Sequence, residues 1–303
     1  MRRYKLSYTV CILFAVISMT ATAQVRNALT PTPIKAAEYE YEAVGAEAKI
    51  RVEYPKGGTE AFRAAYERTV LGAAMKLCFG DIKDAAPEGK TLLETANLAQ
   101  PLAESFIRFA EGSRQDWLEE MNADLEAGDT PKTTDDLPGY YVDLDVERVA
   151  DNPRYQTYRI FADVYLGGAH GLQYEYYFTL EGVTGVHFGL GDLFPDSLHS
   201  KLTAIVYRNL SEQLKEDGGL PGDFPALADF TLPGAPAVGL LKEGVRFQYQ
   251  PYEICSYASG MPACTVPYSQ LYAILSEAAK PLVNYVPKRR GVPTPIKGGK
   301  RLK

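Results

Sequence analysis

VRFQYQPYEICSYASGMPACTVPYSQL, residues Val245 to Leu271, is the stretch on which the reading of the fold turns. Val245, Phe247 and Tyr249 alternate with Arg246, Gln248 and Gln250, the period of a strand with one buried face. Pro251 lacks a backbone donor and interrupts that strand. A second extended segment carries Tyr252, Ile254 and Tyr257, a Gly260-Met-Pro turn reverses the chain, and a short return strand follows. Pro267, Tyr268 and Ser269 then open a helix expected to reach Asn284, with Leu271, Ile274, Leu275, Ala278 and Leu282 on one face. Strands closed by such a helix predict an α+β fold: antiparallel β-meander sheets packed with helices, in two tandem subdomains.

Working backwards, a helix capped by Asp196 or Ser197 runs to about Glu216, with Leu198, Leu202, Ile205, Val206, Leu210 and Leu214 at helical spacing and Gly218-Gly219 as its stop. Phe224–Leu241 reads as a proline- and glycine-rich approach with two short strands. Before these lies a meander. Tyr158, Ile160, Ala162, Val164 and Leu166 alternate, as do Leu172, Tyr174, Tyr176, Phe178 and Leu180, and then Val186, Phe188 and Leu190. GGAHG (167–171) and GVTG (182–185) are the turns, and Tyr141–Val149 supplies a further strand. The opposite face (Tyr165, Gln173, Glu175, Tyr177, His187) is polar and tyrosine-bearing, so a helix or a partner is expected over part of it. Earlier still, Glu38–Tyr54 gives one or two strands ending at Pro55. Thr59 caps a helix through Cys78, and a second helical region covers Leu92–Leu125 with breaks expected near Pro101 and Gly112.

The ends differ in character from the body. Arg2, Arg3 and Lys5, the apolar run Val10–Met19 and Ala21-Thr-Ala23 form a signal-peptide pattern with cleavage before Gln24. That run is shorter than the ~20 residues of a membrane span, and Cys11 stands at its start rather than where a lipid anchor would need it. The expected division is therefore 1–23 signal peptide, 24–37 extended flank, 38–195 and 196–286 the two subdomains, and 287–303 a basic disordered tail. Pro31-Thr-Pro-Ile-Lys35 recurs as Pro293-Thr-Pro-Ile-Lys297, two extended flanks rather than a structural repeat. The formal charge is −6, yet ten of the positive charges sit in the two ends. The body is thus strongly acidic, which favours basic partners and argues against nucleic acid.

Five motifs occur in order: Tyr165-Leu-Gly-Gly-Ala-His-Gly171, Gly191-Asp-Leu-Phe-Pro195, Phe247-x-Tyr-x-Pro-Tyr-Glu-Ile254, Tyr257-Ala-Ser-Gly260 and Val266-Pro-Tyr-Ser-x-Leu271. Their order resembles the extracellular domain of the anti-sigma factor RsiV and the non-catalytic domain of the peptidoglycan deacetylase PdaC, over roughly Glu38 to Asn284. The resemblance implies an α+β fold outside the cytoplasm and, from RsiV, a receptor for lysozyme. The sequence departs from RsiV in carrying a signal peptide in place of a sigma-binding segment and transmembrane helix, and from PdaC in lacking a deacetylase domain. It points to recognition rather than to sigma regulation or deacetylation.

The chemistry-bearing residues agree with a non-enzymatic reading. The candidate contact residues are Gly168 and His170 in the GGAHG turn and Tyr252, Tyr257 and Gly260 in the second loop. His170 reads as a ligand-facing imidazole, as one metal ligand with His187, or as a turn histidine bonded to nearby backbone. Zinc needs three or four protein ligands, and His187 and His199 are isolated, so no metal or cofactor is expected. GGAHG lacks the Lys-Ser/Thr of a phosphate loop, and no GxSxG is present. Asp143, Asp145, Glu147, Asp163 and Glu175 lie on expected strands, where two facing carboxylates would serve an exported hydrolase acting on cell-wall polysaccharide; a His170-centred metal site is the other form of that alternative. Cys255 and Cys264 flank a turn and could form a disulfide in an oxidising compartment, while Cys78 falls on a helix stripe as a buried thiol. The expected function is an exported, periplasmic or cell-surface recognition domain for a lysozyme-like basic protein or a peptidoglycan fragment.

Overall fold

A computed structural model describes residues 32–287 except 44, 87, 124, 127, 128 and 235. The expected signal peptide, most of the flank after it and the basic tail from 288 onward lie outside the described residues. So does the second copy of the five-residue repeat. Ile34 and Lys35 of the first copy already belong to a strand.

The fold is mixed α+β, with a six-stranded and a three-stranded sheet packed with helices. β1 (Ile34–Ala43) and β2 (Ala46–Pro55) form an antiparallel hairpin. β2 alternates as its sequence requires, with Ala48, Ile50 and Val52 buried. The chain then leaves the sheet for its helices. It returns as β3 (Tyr140–Asn152), followed by β4 (Tyr155–Tyr165), β5 (Leu172–Glu181) and the short β6 (His187–Phe188). β3 to β6 are the antiparallel meander read from the sequence. β2 and β3, in contrast, pair in parallel, with Ile50 beside Leu144. That pairing follows from the helical excursion between them, which carries the chain from the Pro55 end of β2 back to its Ala46 end, where β3 starts beside it.

Helix α1 spans residues 60–77. Thr59 Oγ1 accepts the Phe62 N–H at 3.0 Å, and a π-helical turn, Glu67–Leu71, interrupts the α-helical segments Glu60–Tyr66 and Gly72–Leu77. Helix α2 (Ala99–Ala123) is unbroken through Gly112. Pro101 falls in its first turn, where backbone N–H groups have no helical partner to lose. Both helices cover the inner face of the large sheet. Phe62, Tyr66, Leu71, Leu102 and Phe106 meet Ile50, Val142, Leu144, Tyr158 and Ile160 in the first core.

The second core lies around helix α3 (His199–Glu216) and the antiparallel sheet β7 (Val238–Leu240), β8 (Gly244–Gln248) and β9 (Ala263–Pro267). Val245, Phe247 and Tyr249 are fully buried there against Leu202, Val206 and Leu210. Tyr155, Leu193 and Phe194 from earlier in the chain belong to the same core, so its packing reaches back across residue 195. Among its described residues, Phe224–Leu241 holds one strand, β7, rather than two, and α3 starts after a 3-10 turn at Asp196–Leu198 with no side-chain cap from Asp196 or Ser197. Two later elements also differ from expectation. Residues 251–262 form a loop with a 3-10 turn, Tyr257–Ser259, rather than an extended strand. The last helix stops after Tyr268–Leu271 and a 3-10 turn, because Leu275 turns extended and Ser276 N–H donates to Leu193 O at 2.8 Å instead of back into a helix. Leu271, Ile274, Leu275 and Leu282 are nonetheless buried; Ala279, not Ala278, joins them.

The two sheets meet through a closed cycle of hydrogen bonds. Leu240 N–H donates to Thr179 Oγ1 at 2.9 Å, and Thr157 Oγ1 donates to Leu240 O at 2.6 Å. The hydroxyls of Thr157 and Thr179 stand 3.0 Å apart. Because the Thr157 proton is committed to the carbonyl, the Thr179 hydroxyl must donate to Thr157. All three residues are buried. Gly239 allows the approach: a Cβ there would stand 2.8 Å from Tyr177 and 3.1 Å from Thr157. Thr157→Val keeps the shape but strands the Leu240 carbonyl and the Thr179 hydroxyl. It should lower stability by about 1–3 kcal/mol, seen as a fall in urea midpoint with an unchanged slope.

Candidate functional site

The GGAHG turn joins β4 to β5, and the loop after β8 comes back to meet it. Gln250 makes that meeting possible. Its side-chain amide acts as a surrogate backbone on the free edge of β5, accepting Glu175 N–H at 3.1 Å and donating to Glu175 O at 2.7 Å. Tyr177 N–H, next along the same edge, donates to Pro236 O at 2.8 Å. With Gln250 pinned, Pro251 and Tyr252 turn sharply; Tyr252 holds φ at +66° and leaves its ring 60 % exposed. Left-handed backbone costs a non-glycine residue roughly 1–2 kcal/mol.

Three of the sequence-derived residues come together here. The rings of His170 and Tyr257 stack with centroids 4.1 Å apart, and Tyr252 and Tyr257 stack at 5.6 Å. His170 Nδ1 lies 2.8 Å from Gly171 O, so this nitrogen carries the proton and Nε2 is free to accept the Tyr252 hydroxyl at 3.4 Å. Tyr257 OH donates to the same Gly171 carbonyl at 2.9 Å. Gly168 and Gly260 contribute backbone only. Gly168 accepts Tyr165 OH at 2.9 Å, and Gly260 ends the turn carrying Tyr257 in a conformation, φ +70° and ψ −143°, that suits glycine alone.

The site continues across the outer face of the large sheet. Tyr141 and Tyr165 are cross-strand partners with stacked rings 5.8 Å apart, and Tyr141 OH donates to Asp163 Oδ1. Gln173 donates to the other Asp163 oxygen at 3.1 Å. Tyr141 and Asp163 are the members that sequence reasoning did not join to the site. Their signal was present in the alternation of β3, since buried Val142 and Leu144 force Tyr141 outward, but the register bringing it beside Tyr165 is not encoded locally.

The five strand carboxylates all face outward, yet most are already engaged. Asp145 pairs with Arg51 at 2.7 Å and Arg159 at 3.2 Å, and Glu147 with Arg159 at 3.3 Å. Glu175 accepts Tyr177 OH. Asp143 is the exception. It lies directly across from Asp163 on one side and Lys49 on the other. Desolvation on the sheet surface and the nearby Asp145, Asp163 and Glu47 push its carboxyl above the usual range, against the pull of Lys49. Among the described residues no group of three or more His, Cys, Asp or Glu side chains is placed to hold a metal ion. His187 is apart from His170, its ring tilted against Phe178, with burial holding its imidazole below the ordinary pKa. His199 sits at the start of α3 near Asp196.

Cys78, Cys255 and Cys264 are free and buried. The expected Cys255–Cys264 link is not formed. Cys264 lies in β9 opposite Phe247 and directs its sulfur at Val206 O in α3, whereas Cys255 lies in the loop by Ser259. Burial pushes the Cys78 and Cys264 thiols up to about 12.

Residues 191–269 match the family model described as Protein of unknown function (DUF3298). No curated protein matches the chain. Among solved structures, a member of the DUF3298 family from Bacteroides fragilis is similar over 83 % of this chain and 96 % of its own, with TM-score 0.59 and 20 % identity. A DUF3298 family protein from Pseudomonas aeruginosa is similar over 83 % and 98 %, with TM-score 0.52 and 14 % identity. At these identities the likeness is one of fold. The DUF3298 match takes in the Gly191–Pro195, Phe247–Ile254, Tyr257–Gly260 and most of the Val266–Leu271 motifs; the finer likeness to RsiV and PdaC rests on the motifs alone. No helix among the described residues is long and apolar enough to cross a membrane.

The position of Asp143 gives a pH-dependent test. A carboxyl whose folded pKa is raised favours the protonated fold, so stability falls as pH rises from the ordinary aspartate value through the folded one. Asp143→Asn should therefore raise the melting temperature at pH 7. The gain should shrink toward zero below pH ~3.8, where aspartate is protonated in both states.

Proposed function

We propose that this chain is an exported, non-catalytic recognition domain whose ligand surface is the His170–Tyr257–Tyr252 stack and the adjoining Tyr141–Asp163 patch. The observation that carries this reading is the convergence of two distant loops on one exposed aromatic stack, held by a strained Tyr252. Strain of that kind persists where the surroundings impose it and clusters at ligand-binding positions. Tyrosines supply large contact area at low entropic cost, which suits them to protein recognition.

The surroundings favour a basic protein of the lysozyme type. The body is acidic, and Asp163 lies beside Gly171 at the ring stack with Asp143 across from it on β3. Charge complementarity of this kind speeds encounter and fixes orientation. The resemblance of the loop motifs to RsiV points the same way. A peptidoglycan fragment is the second reading, favoured by the flat stacked faces of Tyr252 and Tyr257. Of the outward carboxylates, Asp145 is locked between two guanidinium groups, which leaves Asp143 and Asp163 as the facing pair a hydrolase would have to use.

Calorimetry of the chain from Gln24 against lysozyme and against peptidoglycan fragments, each at two salt concentrations, tests the proposal. Lysozyme binding should weaken as salt rises, since screening acts on exposed charge pairs. Glycan binding through stacking should change little. Tyr252→Gly suits the left-handed backbone and removes only the ring. It should fold normally, by circular dichroism, and bind at least tenfold more weakly. Gln250→Ala should weaken binding in the same direction by releasing the loop from β5. An absence of binding to both ligands would overturn the reading.

A further inference from the structure

The non-glycine residues with positive φ among those described are Tyr252 and Phe79, and both are exposed aromatics close to His170. Tyr252 belongs to the surface already described. Phe79 stands on the other side of the GGAHG turn, at the end of α1, and nothing in the recognition reading uses it. The helix closes with Phe79 N–H donating to Lys76 O and Gly80 N–H to Met75 O, each at 3.0 Å. That is the paired-bond helix ending in which glycine normally takes the left-handed position. Phe79 occupies it instead, with φ +57°. Its ring stacks on Phe109 of α2 at 4.0 Å, nearly parallel, and stays 42 % exposed.

Phe79 forms one wall of a groove of about 330 Å³, within the size range of small-molecule sites. The floor is the inner face of the β4–β5 hairpin, where the sheet extends past the end of α1: Val164, Leu166, Leu172 and Tyr174. Leu172 is 38 % exposed. Lys76 and His170 stand at the rim, and no carboxylate lines the groove. This is unusual for so acidic a chain. The two larger cavities, of about 640 and 420 Å³, carry Glu67, Asp81 and Glu88 in one and Glu60, Glu67 and Glu94 in the other. Lys76 makes no ion pair among the described residues. Lys76 also borders the larger cavity with Glu67, Asp81 and Glu88 but is bridged to none of them, so the trough is apolar with an ammonium at its rim, complementary to a chain-bearing anion.

We infer that this groove binds the acyl chain of a single-chain amphipathic anion, laid between Phe79 and Leu172 with its head group at Lys76. The site is separate from the Tyr252–Tyr257 surface and shares with it only the rim residue His170.

Calorimetric titration of the chain from Gln24 with hexanoate, octanoate and decanoate, all below micelle formation, provides the test. Affinity should rise by up to about fourfold per added methylene, the value of one buried CH₂. Octyltrimethylammonium, with the same chain and the opposite charge, should bind at least tenfold more weakly than octanoate. Lys76→Met should remove that preference and leave the dependence on chain length. Leu172→Asp, at an exposed position, should abolish binding. Phe79→Gly, which suits the backbone, should stay folded by circular dichroism and weaken decanoate several-fold, while Tyr252→Gly should leave it unchanged. Affinity independent of chain length, equal binding of the ammonium amphiphile, or no binding at millimolar decanoate would each overturn the inference, whatever the outcome with lysozyme.

Discussion

The cycle through Leu240, Thr179 and Thr157 is the constraint on which the rest of the structure depends. β7 is an edge strand, and an edge strand presents backbone groups that must be paired or hydrated. Here both polar groups of Leu240 are taken by two side chains from the middle of another sheet. The two hydrophobic cores lie on either side of this junction. Threonine suits the place because its methyl group packs while its hydroxyl both donates and accepts. Valine has the shape without the hydroxyl, and serine has the hydroxyl without the methyl.

From that junction the site follows by short steps. β8 is paired to β7, Gln250 lies two residues past its end, and the Gln250 amide extends the edge pairing to Glu175. Tyr252 is then brought to His170 across 82 residues of sequence separation. The proposed recognition surface and the apolar groove flank the same glycine-rich turn because that turn ends the hairpin both use. On the outer side the sheet carries tyrosines and carboxylates; on the inner side its apolar residues outrun the helix that should cover them.

What could be read from the sequence was whatever repeats at a fixed period. The alternation in Tyr158–Val164 and Val245–Tyr249, the Thr59 cap and the Leu202–Leu210 stripe all specify local structure, and they appear as expected. His170, Tyr252 and Tyr257 were legible as candidates because glycine and proline mark their loops, although their contact depends on Gln250 reaching an edge 75 residues away. Where long-range bonds outcompete local ones, periodicity misleads: Ser276 ends a helix that Leu271 to Leu282 would otherwise support. The positive φ of Phe79 left no trace in the sequence, since the glycine stands one residue later.

The parallel pairing of β2 with β3 has a consequence for how the chain acquires its fold. The hairpins β1–β2, β3–β4 and β4–β5 join neighbouring segments and can close on the order of microseconds. β2 and β3 must instead find each other after everything from Pro55 to Tyr140 has been made and ordered. Contacts of such separation slow folding because the loop entropy is lost before the contacts are gained. Until β3 arrives, the inner edge of β2 is an open template for another chain. A nascent molecule is therefore most open to misassembly in its first half, and the helices α1 and α2 act as a delay as well as a cover.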